Sequence, residues 1–457
     1  MNTKRILSFL ILLACFIAQA ETFKFGVISD CQPFNNSRAP GEALFYVDKA
    51  FKLMKEKGAE AILIAGDIAN QSDPAVYTTI RKIYDEIFGN SPNPPLFLPV
   101  MGNHDREGGL PKDDPPKTMK EKEERFMKYL KVDKIHFHEV VKGFSVIGRS
   151  FKGGGGAGCD LDDAKWVFEE LDKAIARDPN KPIFVVGHNN PKQTVYGSEW
   201  GNDNLYILFR NYPQVVYFSG HTHYPNEDTR TIHQKDFTTV GTSCLFWTWI
   251  ASSALPYHGR QDGKNMLFVE AGDKEIIIRR FQLRDNSEIL DNGKPWTLPL
   301  PLKKDNFVYE PSRRIRENPP VAPQFPDDAT FNAIAVPEGQ PFTGVKLTGT
   351  AAKHPVFVHH YDIDVFAKDQ EGKWTRVNPY TLLMTSDYYR GLNFMQPTFE
   401  TVIPNVGQTF EHHSFDFQPS TDYRLSITPV ETFGTKGKAA TIDFKTPAEK
   451  KPAPEKK

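Results

Sequence analysis

Five short hydrophobic runs mark the first half of the chain, and each ends on a residue type that binds metal ions. They finish as Phe23-Lys-Phe-Gly-Val-Ile-Ser-Asp30, Ala61-Ile-Leu-Ile-Ala-Gly-Asp67, Leu96-Phe-Leu-Pro-Val-Met-Gly-Asn103-His104-Asp105, Pro182-Ile-Phe-Val-Val-Gly-His188 and Val215-Val-Tyr-Phe-Ser-Gly-His221-Thr-His223. Apolar runs of this length, rich in Val, Ile and Phe, predict buried strands. Polar groups gathered at the carboxyl ends of such strands are how an α/β sheet builds a site. A glycine precedes Asp67, Asn103, His188 and His221, where it lets the backbone turn sharply and approach a bound group.

Between the strands the period changes to that of helices. Residues 42–57 place Phe45, Ala50, Phe51 and Met54 at helical spacing, with Gly58 as the stop signal. Ser72-Asp73-Pro74 is a helix start, a capping residue followed by proline. Residues 118–130 read as a charged surface helix, 143–148 as a strand, and 162–176 as an amphipathic helix with Trp166, Val167, Leu171 and Ile175 on one side. Two strands flanking Gly272-Asp273 predict a hairpin. The alternation across residues 21–283 predicts an α/β domain, a largely parallel sheet covered by helices on both faces, with an antiparallel addition at its end.

The pattern then changes. Residues 284–326 are rich in proline and charge without a period, and are expected to be a linker. Residues 327–446 show short alternating strands, such as Phe357–Phe366, Tyr423–Val430 and Ala440–Phe444, and predict an all-β sandwich. Tyr423, opening the penultimate strand, resembles the fibronectin type III pattern. Residues 447–457 are a Lys/Pro/Glu tail, expected to be disordered.

Composition adds compartment and partners. Lys and Arg number 56 against 57 Asp and Glu, so no charge excess points to nucleic acid or an anionic membrane. Lys4 and Arg5 precede an apolar stretch that ends before Ala18-Gln19-Ala20. This is the form of a secretory signal, residues 1–20, and predicts export to the periplasm or medium. A lipid anchor at Cys15 is the alternative. No later stretch is long and apolar enough for a transmembrane span. Removal of the leader leaves Cys31, Cys159 and Cys244, an odd count that allows one disulfide at most.

Asp30-x-Gln32, Gly66-Asp67-x-x-Asn70, Gly102-Asn103-His104-Asp105, Gly187-His188 and Gly220-His221-Thr222-His223 resemble, in order, the five blocks of the calcineurin-like metallophosphoesterase superfamily. The resemblance implies two divalent ions. One is held by Asp30, Gln32 and His223, the other by Asn103, His188 and His221, and Asp67 bridges them. Together with the leader, which predicts export, it implies an exported phosphoesterase in which a hydroxide shared by the ions attacks a phosphate mono- or diester directly. His104 is the expected general acid or phosphoryl hydrogen-bond donor, with Asp105 orienting it. The family's first block usually reads Asp-x-His, and Gln32 stands where that histidine would be. An amide oxygen is a harder and weaker donor than imidazole, which favours Mn, Fe or Mg there, with Zn still allowed. Asn70 likewise replaces a commoner aspartate.

Other features have bland readings. Cys31 is expected to be a packed thiol, Gly153–Gly156 a flexible loop, Tyr224 a packing residue, and Trp247 and Trp249 core residues. Asn189 and Asn190 could face substrate or cap a loop, and His136, His138, His233, His258, His359 and His360 carry no assigned role. The rival to an enzyme is a catalytically weak binding protein of the same fold, holding a glycan or protein partner through the β-domain, with Gln32 as its support.

Overall fold

The computed structural model describes residues 22–32, 40–106, 118–151, 161–201, 203–249, 263–336, 344–404 and 416–448. The leader, Cys15, Cys159, Gly153–Gly156, His258 and nearly all of the tail lie outside the described residues. The first domain runs β1 (Phe23–Ile28), α1 (Pro40–Glu56), β2 (Ala61–Ala65), α2 (Pro74–Phe88), β3 (Leu96–Val100), α3 (Asn103–Arg106), α4 (Met119–Leu130), β4 (Phe137–Val141) and β5 (Phe144–Arg149). It continues α5 (Leu161–Arg177), β6 (Ile183–Gly187), α6 (Asp203–Phe209), β7 (Val215–Ser219), β8 (Ile232–Gln234), β9 (Thr238–Gly241), β10 (Asn265–Ala271), β11 (Glu275–Gln282), β12 (Ser287–Ile289) and β13 (Trp296–Pro299). Helix α2 starts as expected, with the Asp73 carboxylate accepting from Ala75 N at 2.8 Å and Pro74 in the first turn.

The single sheet expected from the sequence is in fact two mixed sheets face to face. One has the order β12-β11-β10-β1-β2-β3, with β13 also on β11; the other is β4-β5-β6-β7-β9-β8. The ligand-bearing strands are parallel within each sheet, β1-β2-β3 and β5-β6-β7. Antiparallel strands complete the edges. Phe25, Leu63, Phe184, Val186 and Phe218 fill the space between the sheets, and the Phe25 ring meets the Phe184 and Phe218 rings edge-on at 4.9 and 5.8 Å. The alternate residues Ile28, Ile62 and Ile64 pack with Phe51, Met54, Tyr77 and Ile80 of α1 and α2. Ile147, Val185 and Tyr217 pack with Val167, Leu171, Leu205 and Phe209 of α5 and α6. Each such side chain contributes about 1.5–3 kcal/mol by leaving water. A strand covered on both faces reads as a continuous apolar run whether its second cover is a helix or another sheet, so the sequence could not separate the two. Phe45, counted on the apolar face of α1, is 57% exposed; Val47, Ala50, Phe51 and Met54 form the buried face.

The segment 284–326, expected as a linker, begins as part of this domain. Strand β13 pairs with β11 in register Ile276↔Leu298, and Trp296 is fully buried. Two apolar residues in a four-residue strand are too few to show a period among prolines and charges. Helix α7 (Pro311–Glu317) then leads to the second domain.

That domain holds β14 (Phe331–Val336), β15 (Gly344–Thr350), β16 (His360–Lys368), β17 (Trp374–Arg376), β18 (Leu382–Thr385), β19 (Thr398–Pro404), β20 (Asp422–Val430) and β21 (Ala440–Lys445). Its two sheets, β14-β15-β19 and β17-β16-β20-β21 with β18 on β16, are antiparallel. They share a core of Val345, Leu347 and Ile403 from one sheet and Ile363, Val365, Leu425 and Ile427 from the other. The Tyr423 hydroxyl accepts from the Gln418 amide at 2.7 Å, tying the start of β20 to the preceding turn.

The two domains are joined by polar contacts. The Arg230 guanidinium pairs with Asp228 at 2.6 Å, donates to His359 Nε2 at 3.0 Å, and lies 3.5 Å over the Tyr196 ring. The Tyr388 hydroxyl meets the same His359 nitrogen at 3.1 Å. Gln282 donates to the Tyr389 carbonyl at 3.3 Å.

Candidate metal centre

The ends of β1, β2, β3, β6 and β7 converge where the two sheets meet. Asp30, Gln32, Asp67, His188 and His223 are all buried. Ligand-type atoms of Asp30, Asp67 and His223 lie within 4.8 Å of one another. His223 Nε2 is 2.8 Å from Asp30 Oδ1. The Gln32 amide stands between them, 3.3 Å from Asp67 Oδ2 and 3.4 Å from His223 Nε2. On the other side of Asp67, His188 Nε2 lies 3.1 Å from Asp67 Oδ2 and 2.9 Å from Asn103 Oδ1. The His221 ring centroid is 5.1 Å from that of His188.

Backbone conformation adds a signal that no sequence pattern carried. Asp30, Asp67, His221 and His223 have φ of 50°, 50°, 70° and 56°, left-handed values uncommon outside glycine. Four such residues around one point are the kind of strain that clusters at functional sites. Two of the predicted glycines have a geometric cause. A Cβ at Gly102 would fall 2.1 Å from Asp67 Oδ1, and one at Gly220 would fall 2.4 Å from Asp30 Oδ2.

The donor set fits divalent cations. His188 Nδ1 meets the Ala65 carbonyl at 2.9 Å and His223 Nδ1 meets the Trp247 carbonyl at 3.0 Å. A carbonyl only accepts, so both rings carry hydrogen on Nδ1 and turn Nε2 toward the carboxylates. A ring-nitrogen lone pair and a carboxylate oxygen repel unless a cation or proton sits between them. Burial alone would depress His188, but Asp67 and Asp30 hold it up at about 9. Burial and the neighbouring His188 push His221 down to about 4. The Gln32 Oε1 atom is buried and has no hydrogen-bond partner among the described residues, a costly state for a polar atom that a cation would relieve. Asp67 lies between the two groups, one oxygen near His188 and Gln32, the other accepting the His104 amide at 2.8 Å.

His104 borders this cluster with its side chain 37% exposed, and its Nε2 is 3.9 Å from Asp67 Oδ2. The residue holding its ring is Asn70, whose Oδ1 is 2.8 Å from Nδ1. Asp105, expected to orient His104, points elsewhere. Its carboxylate accepts from the amides of Ile68, Ala69 and Gly102 and from the Tyr77 hydroxyl. It therefore ties the Asp67 loop to the Asn103 loop. Its side chain and that of its neighbour leave α3 in different directions, so adjacency in sequence did not mean contact.

The remaining candidates are accounted for by packing. The Asn190 amide donates to Ser219 Oγ at 2.7 Å in the interior. Tyr224 is buried against Tyr196, ring centroids 4.4 Å apart. Cys31 and Cys244 are buried free thiols, and burial raises Cys31 well above the ordinary thiol range. Trp247 and Trp249, expected in the core, are instead only partly buried, and the Trp247 carbonyl fixes the His223 tautomer, with the Trp247 ring 4.2 Å from the imidazole.

Residues 23–225 match the family model described as calcineurin-like phosphoesterase. No curated protein sequence matches the chain. Among solved structures, the chain is similar to a dimetal phosphatase from Danio rerio at 9% identity and a TM-score of 0.40, over 61% of this chain and 98% of that one. It is similar to GAP50, the anchor in the inner membrane complex of Plasmodium, at 13% identity and 0.39, over 62% and 90%. It is also similar to purple acid phosphatase PPD1 from yellow lupin seeds at 10% identity and 0.42, over 62% and 54%. The match to the calcineurin-like phosphoesterase model spans residues 23–225, the part of the chain that carries the buried Asp30, Asp67 and His223 cluster, and it supports a metal-dependent phosphoric ester hydrolase.

Proposed function

We propose that the protein is an exported hydrolase of phosphate mono- or diesters that works with two divalent ions. The observation that carries this reading is the position of Asp67 between two donor groups, Asp30, Gln32 and His223 on one side and Asn103, His188 and His221 on the other. When bound, such ions supply the Lewis acidity that activates water and neutralises charge on the phosphoryl oxygens. Asp30 and Asp67 balance their charge. Ala65 and Trp247 carbonyls hold the two imidazoles in the ligating tautomer. His104, anchored by Asn70 through Nδ1, is the group we assign to give a proton to the departing alkoxide through Nε2.

The amide of Gln32 supports Mn, Fe or Mg over Zn on the His223 side. Export rests on the basic-then-apolar leader before Ala20, with lipidation at Cys15 as its alternative form. We read the second domain as fibronectin type III-like, a reading supported by the Tyr423 hydroxyl bond to the backbone five residues upstream, and as a surface open to a glycan or protein partner. A catalytically weak binding protein is disfavoured by the anchored, half-exposed His104.

The test uses protein stripped of metal and reloaded with Mn, offered a chromogenic monoester and a chromogenic diester. Turnover of either is expected, with Asp67→Asn abolishing both metal content and turnover. His104→Ala is expected to keep its metal and lose about 10²–10⁴-fold in turnover on esters with poor leaving groups. Full activity of His104→Ala on those esters would remove the acid assignment, and no turnover by the wild type would remove the enzyme reading.

A further inference from the structure

The segment Cys244–Trp249 runs beside the metal centre and is pinned by its backbone. The Leu245 amide donates to the Ser29 carbonyl at 3.3 Å, that of Phe246 to Asp30 at 3.2 Å, and that of Trp249 to His223 at 3.0 Å. Lys264 Nζ donates to the Phe246 carbonyl, and the Gly263 amide to Thr248 Oγ1 at 3.2 Å. Held this way, the Trp247 and Trp249 side chains stand on the same side of an extended segment. Their rings meet edge to face at 4.7 Å, and Trp247 lies 4.2 Å from the His223 imidazole.

Both indoles are half-buried. Leu245 enters the apolar core under α1 and α2, whereas neither tryptophan joins a buried apolar cluster among the described residues. Two large aromatic groups are thus fixed in place beside a metal-ligating histidine and keep exposed surface. His104 borders the opposite side, next to Asn103 and His188. Trp247 thus borders the Asp30 and His223 side of Asp67, and His104 borders Asp67 through its own amide.

We infer that Trp247 and Trp249 form an aromatic wall that receives the organic part of the ester, so that the site selects phosphoesters carrying a planar aromatic or other apolar group over those of small polar alcohols. The inference rests on the phosphoesterase reading above and names its substrate class. An offset or edge-on ring pair of this kind is worth a few-fold to about tenfold in affinity.

The experiment compares phenylphosphonate with methylphosphonate as competitive inhibitors of the Mn-loaded full chain, in the wild type, Trp249→Ala and Trp249→Phe. Neither compound is hydrolysed, so leaving-group chemistry drops out, and the comparison is made at one pH above both second ionisations, where both are dianions. The wild type is expected to prefer phenylphosphonate. The preference should fall about fivefold in Trp249→Ala and be largely kept in Trp249→Phe, whereas a merely structural role would weaken both inhibitors alike. An unchanged ratio, or an equal loss for both, overturns the inference. Tryptophan fluorescence separates this from failure of the enzyme reading, since phenylphosphonate should quench the wild type more than Trp249→Ala even without turnover. Equal quenching overturns the wall. Should Trp249→Ala not fold, Trp249→Leu carries the same comparison.

Discussion

At the scale of single residues, the centre is organised by groups that do not bind metal. The Asn70 side chain determines which nitrogen of His104 faces the cluster, and a carbonyl does the same for His188 and His223. Asn70→Ala removes one hydrogen bond to a ring that must carry charge when it acts as an acid. Such bonds are worth about 1.5–3 kcal/mol, which corresponds to roughly 10- to 100-fold in turnover. The expected outcome is that loss on an ester with a poor leaving group, with metal content unchanged by elemental analysis. Unchanged turnover would mean that His104 needs no anchor. The ligand types were legible in the sequence because chemistry restricts them. Asp105 misled because its neighbour's role suggested contact, while three amides and a tyrosine claim its carboxylate.

At the scale of elements, strand ends deliver the ligands and the loops hold strained backbone. The strands were legible because their runs are apolar and punctuated by glycine. What covers them was not, because helix and sheet bury the same residues. Strand β13 was hidden for a different reason, its brevity, although it places Trp296 under the Arg280 guanidinium at 3.9 Å. Trp296→Ala empties a fully enclosed position and is expected to cost about 3–5 kcal/mol. Urea unfolding checks this. A change below about 1 kcal/mol would return residues 284–299 to the status of a linker.

At the scale of the whole molecule, the second domain is attached through the loop that follows the last metal ligands. His359 lies fully buried among Arg230, Asp228, His360, Tyr388 and Tyr196. Burial and the adjacent Arg230 push it down to about 4, although Asp228 opposes them. In the unfolded chain the same ring titrates near 6.5. Between these values the unfolded state binds a proton that the folded state refuses. Stability is therefore complete above about pH 6.5 and falls as pH drops toward 4, by roughly 3 kcal/mol from this group. His359→Gln should be less sensitive than the wild type between pH 7 and 4.5, as read from urea midpoints. Equal pH slopes would place the acid sensitivity elsewhere. The joint sits close to His223, since Tyr224 packs on Tyr196, which the guanidinium covers.

By itself the sequence determined the strands, the glycine turns, the donor types and the change to β-structure after the first domain. These depend on local period, steric allowance and ligand chemistry, all written in neighbouring residues. Only the tertiary structure decided that two sheets rather than one enclose the core, that Asn70 and Trp247 hold the histidines, and that Arg230 meets His359 across 129 positions. Those outcomes depend on which distant surfaces meet, and a linear pattern carries no record of that.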